Sequence, residues 1–269
     1  MATTIGFIGG GRMAEALIQG ICASGLALPE QIFVVDLDQG RRTFLHDSFG
    51  VSVFDQAGPV VDSCDLLVLA VKPQVMAKAL GGIKDSVQSR HLLVSIAAGV
   101  SLASIETALD GAPCHLVRVM PNTPALVGEG AAAISPGKGA DEADVAKVKA
   151  LFDAVGQTVV LAESYLDAVT GLSGSGPAYV FSFIEGLIDG GVKVGLPRPE
   201  AQTLVLQTVL GSAKLAMETK QSPADLKAMV TSPGGTTIAG LHAMARAGFQ
   251  GILMDAVEAA TKRSRELGE

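Results

Sequence analysis

Tryptophan is missing from this sequence, and tyrosine occurs only 2 times in 269 residues. Glycine, by contrast, occurs 32 times. Small side chains of this kind allow close helix packing and close approach of backbone to a ligand. The 3 cysteines, Cys22, Cys64 and Cys114, are far apart, odd in number and outside any CxxC pair. That excludes a disulfide framework and a structural zinc site, and points to a reducing, cytoplasmic location. Each cysteine is expected to be a small core residue, and no metal site is expected. There is no basic tract, and the formal net charge is −7. Neither nucleic acid nor an anionic membrane surface is an expected partner, because both need clustered Lys and Arg. No apolar run reaches the ~18 residues of a membrane span, and no basic, apolar leader precedes the first strand-like run.

What is present is apolar material: 48% hydrophobic residues against 17% charged. This is enough for a packed core, in one large domain or two medium ones. Up to about residue 160, short apolar runs alternate with helical stretches. The runs are Ile5–Ile8, Ile32–Val35, Leu66–Val71, Leu92–Ala98 and Leu116–Val119, with weaker ones at Ala131–Ile134 and Thr158–Leu161. They are continuous rather than alternating, as strands buried on both faces are. The helical stretches are Met13–Ala23, Arg41–Asp47, Val75–Leu80, Leu102–Leu109 and Glu142–Val155. This order predicts an α/β fold, an N-terminal Rossmann-like doubly wound sheet over residues 1–162. Residues 163–269 read as all-α, with helices at Tyr179–Lys193, Glu200–Thr219, Ala224–Val230, Thr237–Ala247 and Gln250–Glu266. Ser173-Gly174-Ser175-Gly176-Pro177 is a break with Pro at a helix start. Val205, Leu206, Val209 and Leu210, like Ile252, Leu253, Ala256 and Val257, put apolar residues on more than one helix face. So small a bundle has limited capacity to bury them, and a homodimer, or an assembly of dimers, is expected.

Ile5-Gly6-Phe7-Ile8 runs into Gly9-Gly10-Gly11-Arg12-Met13-Ala14, a G-x-G-x-x-A pattern between a strand and a helix. Gly9 allows the tight turn, Gly11 opens the backbone to a pyrophosphate, and Ala14 keeps helix and strand close. The helix N-terminus favours the phosphates. A nicotinamide dinucleotide is the expected cofactor, held by Ile8, Gly9, Gly10, Gly11, Arg12 and Met13. Asp36, at the end of the second run, would grip a ribose 2′-hydroxyl, or cap its own turn. Arg12, Arg41 and Arg42 would instead suit a 2′-phosphate, so NADPH and NADH both stay open. Three further loops fall at the carboxyl ends of strands, where open α/β sheets bind ligands. They are Ala70-Val71-Lys72-Pro73, Ser95-Ile96-Ala97-Ala98-Gly99 and Met120-Pro121-Asn122-Thr123-Pro124. Ala70, Val71, Lys72, Pro73, Ile96, Ala97, Ala98 and Asn122 are the expected lining of the cofactor's nicotinamide half.

Thr231-Ser232-Pro233-Gly234-Gly235-Thr236-Thr237 opens a later helix. Its glycines and hydroxyls make either an anion nest or an ordinary N-cap. The four histidines, His46, His91, His115 and His242, read as surface or core groups rather than as a general acid.

These stretches together resemble the pyrroline-5-carboxylate reductase family. The resemblance runs through Phe7–Gly11, Ala70–Pro73, Ser95–Gly99, Met120–Pro124, Asp167–Tyr179, Leu226-Lys227 and Ser232–Thr237, in family order. It implies NADPH- or NADH-dependent reduction of 1-pyrroline-5-carboxylate, a cyclic imino acid, to L-proline, the last step of proline biosynthesis. It implies that C-terminal helices intertwine with a second subunit, with the active site between one dinucleotide domain and the dimer's helices. It implies that Ser232, Gly234, Gly235, Thr236 and Thr237 hold the substrate carboxylate, that Thr237 is the catalytic candidate at the ring nitrogen, and that Glu163 reaches the substrate region. Arg12 and Asp36 depart from the family pattern and bear on the cofactor's identity. The expected chemistry is hydride transfer to C5 of a protonated imine, where positioning outweighs acid strength. Two other readings compete. A β-hydroxyacid-dehydrogenase-like reductase would use a lysine, Lys193 or Lys214, and a non-catalytic dinucleotide sensor would bind without turnover.

Overall fold

The structure, a computed structural model, describes residues 4–268. Met1–Thr3 and Glu269, the latter within the stretch 163–269 read above as all-α, lie outside the described residues. The described residues pack as two compact units. One runs up to Ser175 and takes in the chain from Ala259 onward; the other is Gly176–Glu258.

The first unit holds eight strands: β1 (Ile5–Ile8), β2 (Ile32–Val35), β3 (Ser52–Phe54), β4 (Leu66–Leu69), β5 (Leu92–Ser95), β6 (His115–Met120), β7 (Gly130–Pro136) and β8 (Gly156–Val160). Their order across the sheet is β3-β2-β1-β4-β5-β6-β7-β8. The helices between them are α1 (Arg12–Ser24), α2 (Gln39–Phe49), α3 (Gly58–Ser63), α4 (Met76–Gly81), α5 (Leu102–Ala108) and α6 (Glu142–Asp153), and α7 (Leu166–Val169) follows the last strand. Alternate strand residues feed two cores. Ile5, Phe7, Leu66 and Val68 join α1 and α6 through Leu17, Ile18, Val148 and Phe152. Ile8, Leu67 and Leu69 join Val60, Met76, Leu80 and Ile105 of α3, α4 and α5. Both faces are therefore dry, which is why the strands read as continuous apolar runs. Each fully buried Leu, Ile or Phe contributes about 1.5–3 kcal/mol.

Three features depart from the sequence expectation. β3 and α3 carry too little apolar pattern to stand out, being 3 and 6 residues long. The sheet is not wholly parallel, because β7 runs antiparallel to β6. Only residues 121–129 connect those two strands, and a parallel crossover needs a dozen or more. The runs Leu66–Val71 and Leu92–Ala98 overshoot their strands, which end at Leu69 and Ser95 as the chain turns into loops.

The second unit holds α8 (Gly176–Lys193), α9 (Arg198–Thr219), α10 (Pro223–Met229), α11 (Thr236–Arg246) and the first part of α12 (Phe249–Gly268), as expected for an all-α region. Pro177, Pro199 and Pro223 sit in first turns, where a missing N–H costs nothing. The break before α8 is itself structured. Thr170–Gly174 forms a π turn, closed by the Ser175 N–H donating to the Thr170 carbonyl at 2.8 Å. α8 and α9 pack as an antiparallel hairpin, yet Ile188 and Ala201 are the only buried hydrophobic residues between Gly176 and Glu258. No helix among the described residues is long and apolar enough to cross a membrane.

Candidate functional site

The glycine loop lies where the strand order reverses, with β2 on one side of β1 and β4 on the other. That reversal opens a crevice at the carboxyl ends of the strands. Gly9 turns the chain with φ +102°, and a Cβ there would meet the Ala70 carbonyl oxygen at 2.8 Å. No other residue combines that angle with that clearance. A Cβ on Gly10 would strike Leu45 at 2.7 Å. A Cβ on Gly11 would meet no protein atom within 4 Å, so its backbone is open on that side. Gly11 is also the N-cap of α1 and supplies no side-chain cap. First-turn N–H groups are thus left for an anion. Ala14 is fully buried against the sheet, the close packing that its place in the pattern requires. Ile8 ends β1 in the core, Met13 is half-buried, and Arg12 is 81% exposed at the loop rim, 3.9 Å from Glu15. The crevice therefore has the open backbone, the uncapped helix end and the clearance that a dinucleotide's phosphates need.

Asp36 sits directly after β2. Its carboxylate accepts from the Gly10 N–H at 2.8 Å and from the Asp38 N–H at 2.9 Å. The cap of α2 is Asp38, not Asp36: Asp38 accepts from the Arg41 N–H at 2.9 Å. Asp36 closes the preceding turn and braces the glycine loop. Arg41 reaches back across the loop and donates to the Gly10 carbonyl, to the Gly11 carbonyl at 3.3 Å and to Glu15 at 2.5 Å.

The other three loops gather along the same edge. The Ala70 N–H donates to the Ile8 carbonyl at 2.9 Å, and the Ile96 N–H to the Leu69 carbonyl at 3.2 Å. Val71 lies beside Gly9, Ala97 is buried, Ala98 is exposed, and exposed Lys72 caps the single turn that Pro73 begins. Asn122 uses both ends of its amide. Its carbonyl accepts from the Ala131 N–H at 2.8 Å and its NH₂ donates to the Ser173 carbonyl at 3.1 Å. It ties the π turn before α8 to the end of β6. Glu163 is likewise committed. One carboxylate oxygen accepts from Arg118 at 2.8 Å and from the Leu102 N–H at 2.7 Å, at the start of α5, where a carboxylate complements the helix dipole.

In the helical unit, Ser232-Pro233-Gly234-Gly235 closes a turn through the Gly235 N–H donating to the Ser232 carbonyl at 3.1 Å. Gly234 has φ +67°, as a type II turn with proline in its second position requires. A Cβ on Gly235 would sit 2.2 Å from the Ser232 hydroxyl oxygen. Gly235 caps α11 with no side-chain hydrogen bond, leaving Thr236 and Thr237 in an open first turn. Thr237 is half-buried, while Ser232, Gly234 and Thr236 are exposed. This has the form of an anion nest rather than a side-chain cap.

Two family models match the chain. One, described as NADP oxidoreductase coenzyme F420-dependent, covers residues 4–99; the other, pyrroline-5-carboxylate reductase dimerisation, covers residues 163–267. A pyrroline-5-carboxylate reductase of Arabidopsis thaliana is 48% identical over 265 residues, 98% of this chain and 95% of the relative. The chain belongs to the pyrroline-5-carboxylate reductase family. Solved structures of the family agree in fold. The reductase from Coxiella burnetii is 33% identical, with a TM-score of 0.94 over 100% of both chains. That from Plasmodium falciparum, with NADP bound, is 36% identical, with a TM-score of 0.88 over 99% of this chain and 98% of the other.

Sequence reading of this family member missed Glu15 and Arg118. Arg118 is 7% exposed and holds Glu163 in place. The signal was present: Arg118 is the one charged residue inside the apolar run of β6. Glu15 looked like an ordinary first-turn acid, and only the fold brings Arg41 to it.

Proposed function

We propose that this chain reduces the C=N bond of 1-pyrroline-5-carboxylate to give L-proline, with NADPH or NADH as reductant, in a homodimer or an assembly of dimers. The observation that carries this reading is that the relationship spans the whole chain, at 48% identity over 98% of its length. It covers the sheet that suits a dinucleotide and the helices that carry the anion nest.

When bound, the reduced dinucleotide supplies the hydride that adds to C5 of the protonated ring. The chain's own residues supply position. Gly9, Gly10, Gly11, Arg12 and the first turn of α1 hold phosphate, Asp36 takes the adenosine side, and Ala70–Pro73, Ile96–Ala98 and Asn122 bound the crevice. The Gly234 N–H and the open first turn that Gly235 begins, with the hydroxyls of Ser232 and Thr236, hold the substrate carboxylate. Thr237 hydrogen-bonds the ring nitrogen and fixes the face that C5 presents. Glu163 acts at the edge of this site and is itself held by Arg118. Residues 163–269 are the segment that builds both the substrate site and the dimer. The partners are small molecules and a second copy of the chain, in the reducing cytoplasm.

An absorbance assay of NADH and NADPH oxidation with 1-pyrroline-5-carboxylate tests the reading. Turnover with at least one cofactor is expected. Absence of turnover with both, from protein that binds dinucleotide, would sink it.

A further inference from the structure

The turn after β2 faces the part of a dinucleotide on which NADH and NADPH differ, the ribose 2′ position. Three charged side chains meet there, and each has a defined posture. The Asp36 carboxylate is pinned by the N–H groups of Gly10 and Asp38, at 2.8 and 2.9 Å. A carboxylate offers about four lone-pair sites, so two remain for a further donor. Arg41 is spent: it donates to the Gly10 and Gly11 carbonyls, pairs with Glu15 at 2.5 Å and lies 4.8 Å over the Phe44 ring. Its charge is balanced and its side chain is only 21% exposed. Arg42 donates to the carbonyls of Asp36 and Leu37, at 2.7 and 3.0 Å, which anchors it to the backbone of the same turn.

We infer that Asp36 makes this enzyme discriminate in favour of NADH over NADPH. The inference rests on the reading of the chain as a dinucleotide-dependent reductase. A 2′-hydroxyl is a donor and meets the free lone pairs of Asp36. A 2′-phosphate brings up to two negative charges against the same carboxylate. Of the arginines that could offset them, Arg41 is paired with Glu15, Arg42 is tied through one guanidinium nitrogen to main-chain carbonyls, and Arg12 lies at the exposed loop rim, 3.9 Å from Glu15. The carboxylate cannot swing away without giving up both N–H bonds, one of which braces the glycine loop.

Binding without imino acid provides the test, read by nicotinamide fluorescence. Displacement by ADP-ribose and by its 2′-phosphorylated form isolates the adenosine end. The wild-type protein is expected to hold NADH at least about tenfold more tightly than NADPH, with the same order for the two displacing probes. Asp36→Asn keeps the shape and an acceptor for the Gly10 N–H. It is expected to weaken NADH and to tighten NADPH, lowering the preference for NADH by about tenfold or more. Asp36→Ser is expected to move the ratio further in the same direction.

Equal or tighter NADPH binding by the wild type overturns the inference, and needs no variant to fold. So does an unchanged ratio in Asp36→Asn, including parallel loss of both cofactors, which would make Asp36 a loop brace alone. Selective loss of NADPH in Arg42→Ala, from a wild type that favours NADPH, would assign the 2′ position to Arg42. Failure of the functional reading looks different: NADH binds preferentially, yet neither cofactor is oxidised with 1-pyrroline-5-carboxylate.

Discussion

The two packed units solve the same problem in opposite ways. In the sheet unit, alternate residues of each strand find a helix on one face or the other, and Phe7, Leu17, Ile18, Leu67 and Phe152 are all but inaccessible. In the helical unit, Phe181, Leu204, Leu206, Leu210, Met217, Ile252 and Met254 are exposed. Along α9 the half-buried residues Val205, Val209 and Ala216 define one stripe, and the leucines lie off it. Exposed apolar residues in this number, on α8, α9 and α12, mark an interaction surface rather than a solvent face. The sheet unit completes its core within one chain; the helical unit is half of a core.

The sharpest way to break this comparison is to charge the exposed helical face. Leu210→Glu with Ile252→Glu should dissociate the oligomer and, on the proposed dependence of the substrate site on a second copy, cut turnover by on the order of a thousandfold or more. NADH affinity should survive within a few-fold. Sedimentation and cofactor fluorescence measure the two readouts. An active monomer would show that the helical unit needs no partner.

Next in size is Thr237→Ala. On the role proposed for Thr237, losing its hydroxyl should lower kcat by about a hundredfold and leave cofactor affinity nearly intact. The opposite pattern, weak cofactor and normal kcat, would move Thr237 out of the substrate site. Smaller again is Gly9→Ala in the sheet unit. The positive φ and the Ala70 carbonyl at 2.8 Å should together cost about 1–3 kcal/mol of stability and loosen dinucleotide binding. Denaturant melts and cofactor titration check it, and a variant as stable as the parent would mean that the turn relaxes freely.

What could be read in advance cuts across that contrast. Apolar pattern marks β1, β2, β4, β5 and α1 in the sheet unit, and it marks α8, α9, α11 and α12 in the helical one as well. It is blind to short edge elements such as Ser52–Phe54, and to strand direction, which at β7 depends on the length of a connection. Site residues divide likewise. Gly9, Ala14 and Gly234 are marked by type and spacing, since backbone geometry demands them. The pairings Arg118–Glu163 and Glu15–Arg41 are not, since Glu163 comes from the turn after β8 and Arg41 from α2. Asn122 stood out as a turn former at a sheet edge, but its role as the tie to Ser173 depends on a π turn that no spacing rule anticipates.

The smallest expected effect lies at the amino end of a central strand, away from the crevice, in a residue with no part in the chemistry. His91 is fully buried just before β5. Its Nδ1 accepts from the Gln88 N–H at 2.7 Å, so the proton sits on Nε2, which donates to the Val61 carbonyl at 3.1 Å. A second proton would have to enter where the Gln88 N–H already points. Burial, then the neighbouring Arg90 charge, hold the imidazole below its ordinary value of 6.5, against the opposing pull of the Val61 carbonyl, Asp65 and Asp62. The unfolded chain therefore takes up this proton first as pH falls. Stability from this residue is complete above about 6.5 and drains away below it, by at most about 1.4 kcal/mol per pH unit for one proton. Asp144 and Asp153 act in a separate window. Burial would raise both carboxyls, but hydrogen bonds from His115 and Lys147 to the first, and from Lys149 and Thr158 to the second, outweigh it and lower them. Their contribution is lost only as pH falls below the usual carboxylate range. Denaturant melts of His91→Gln between about pH 7 and pH 5 should thus show a flatter acid limb than the wild type, with no dependence on protein concentration in the difference. An identical slope would mean that the buried imidazole is not what the sheet unit loses first, and a concentration-dependent difference would move the acid-sensitive step to the helical unit's interface.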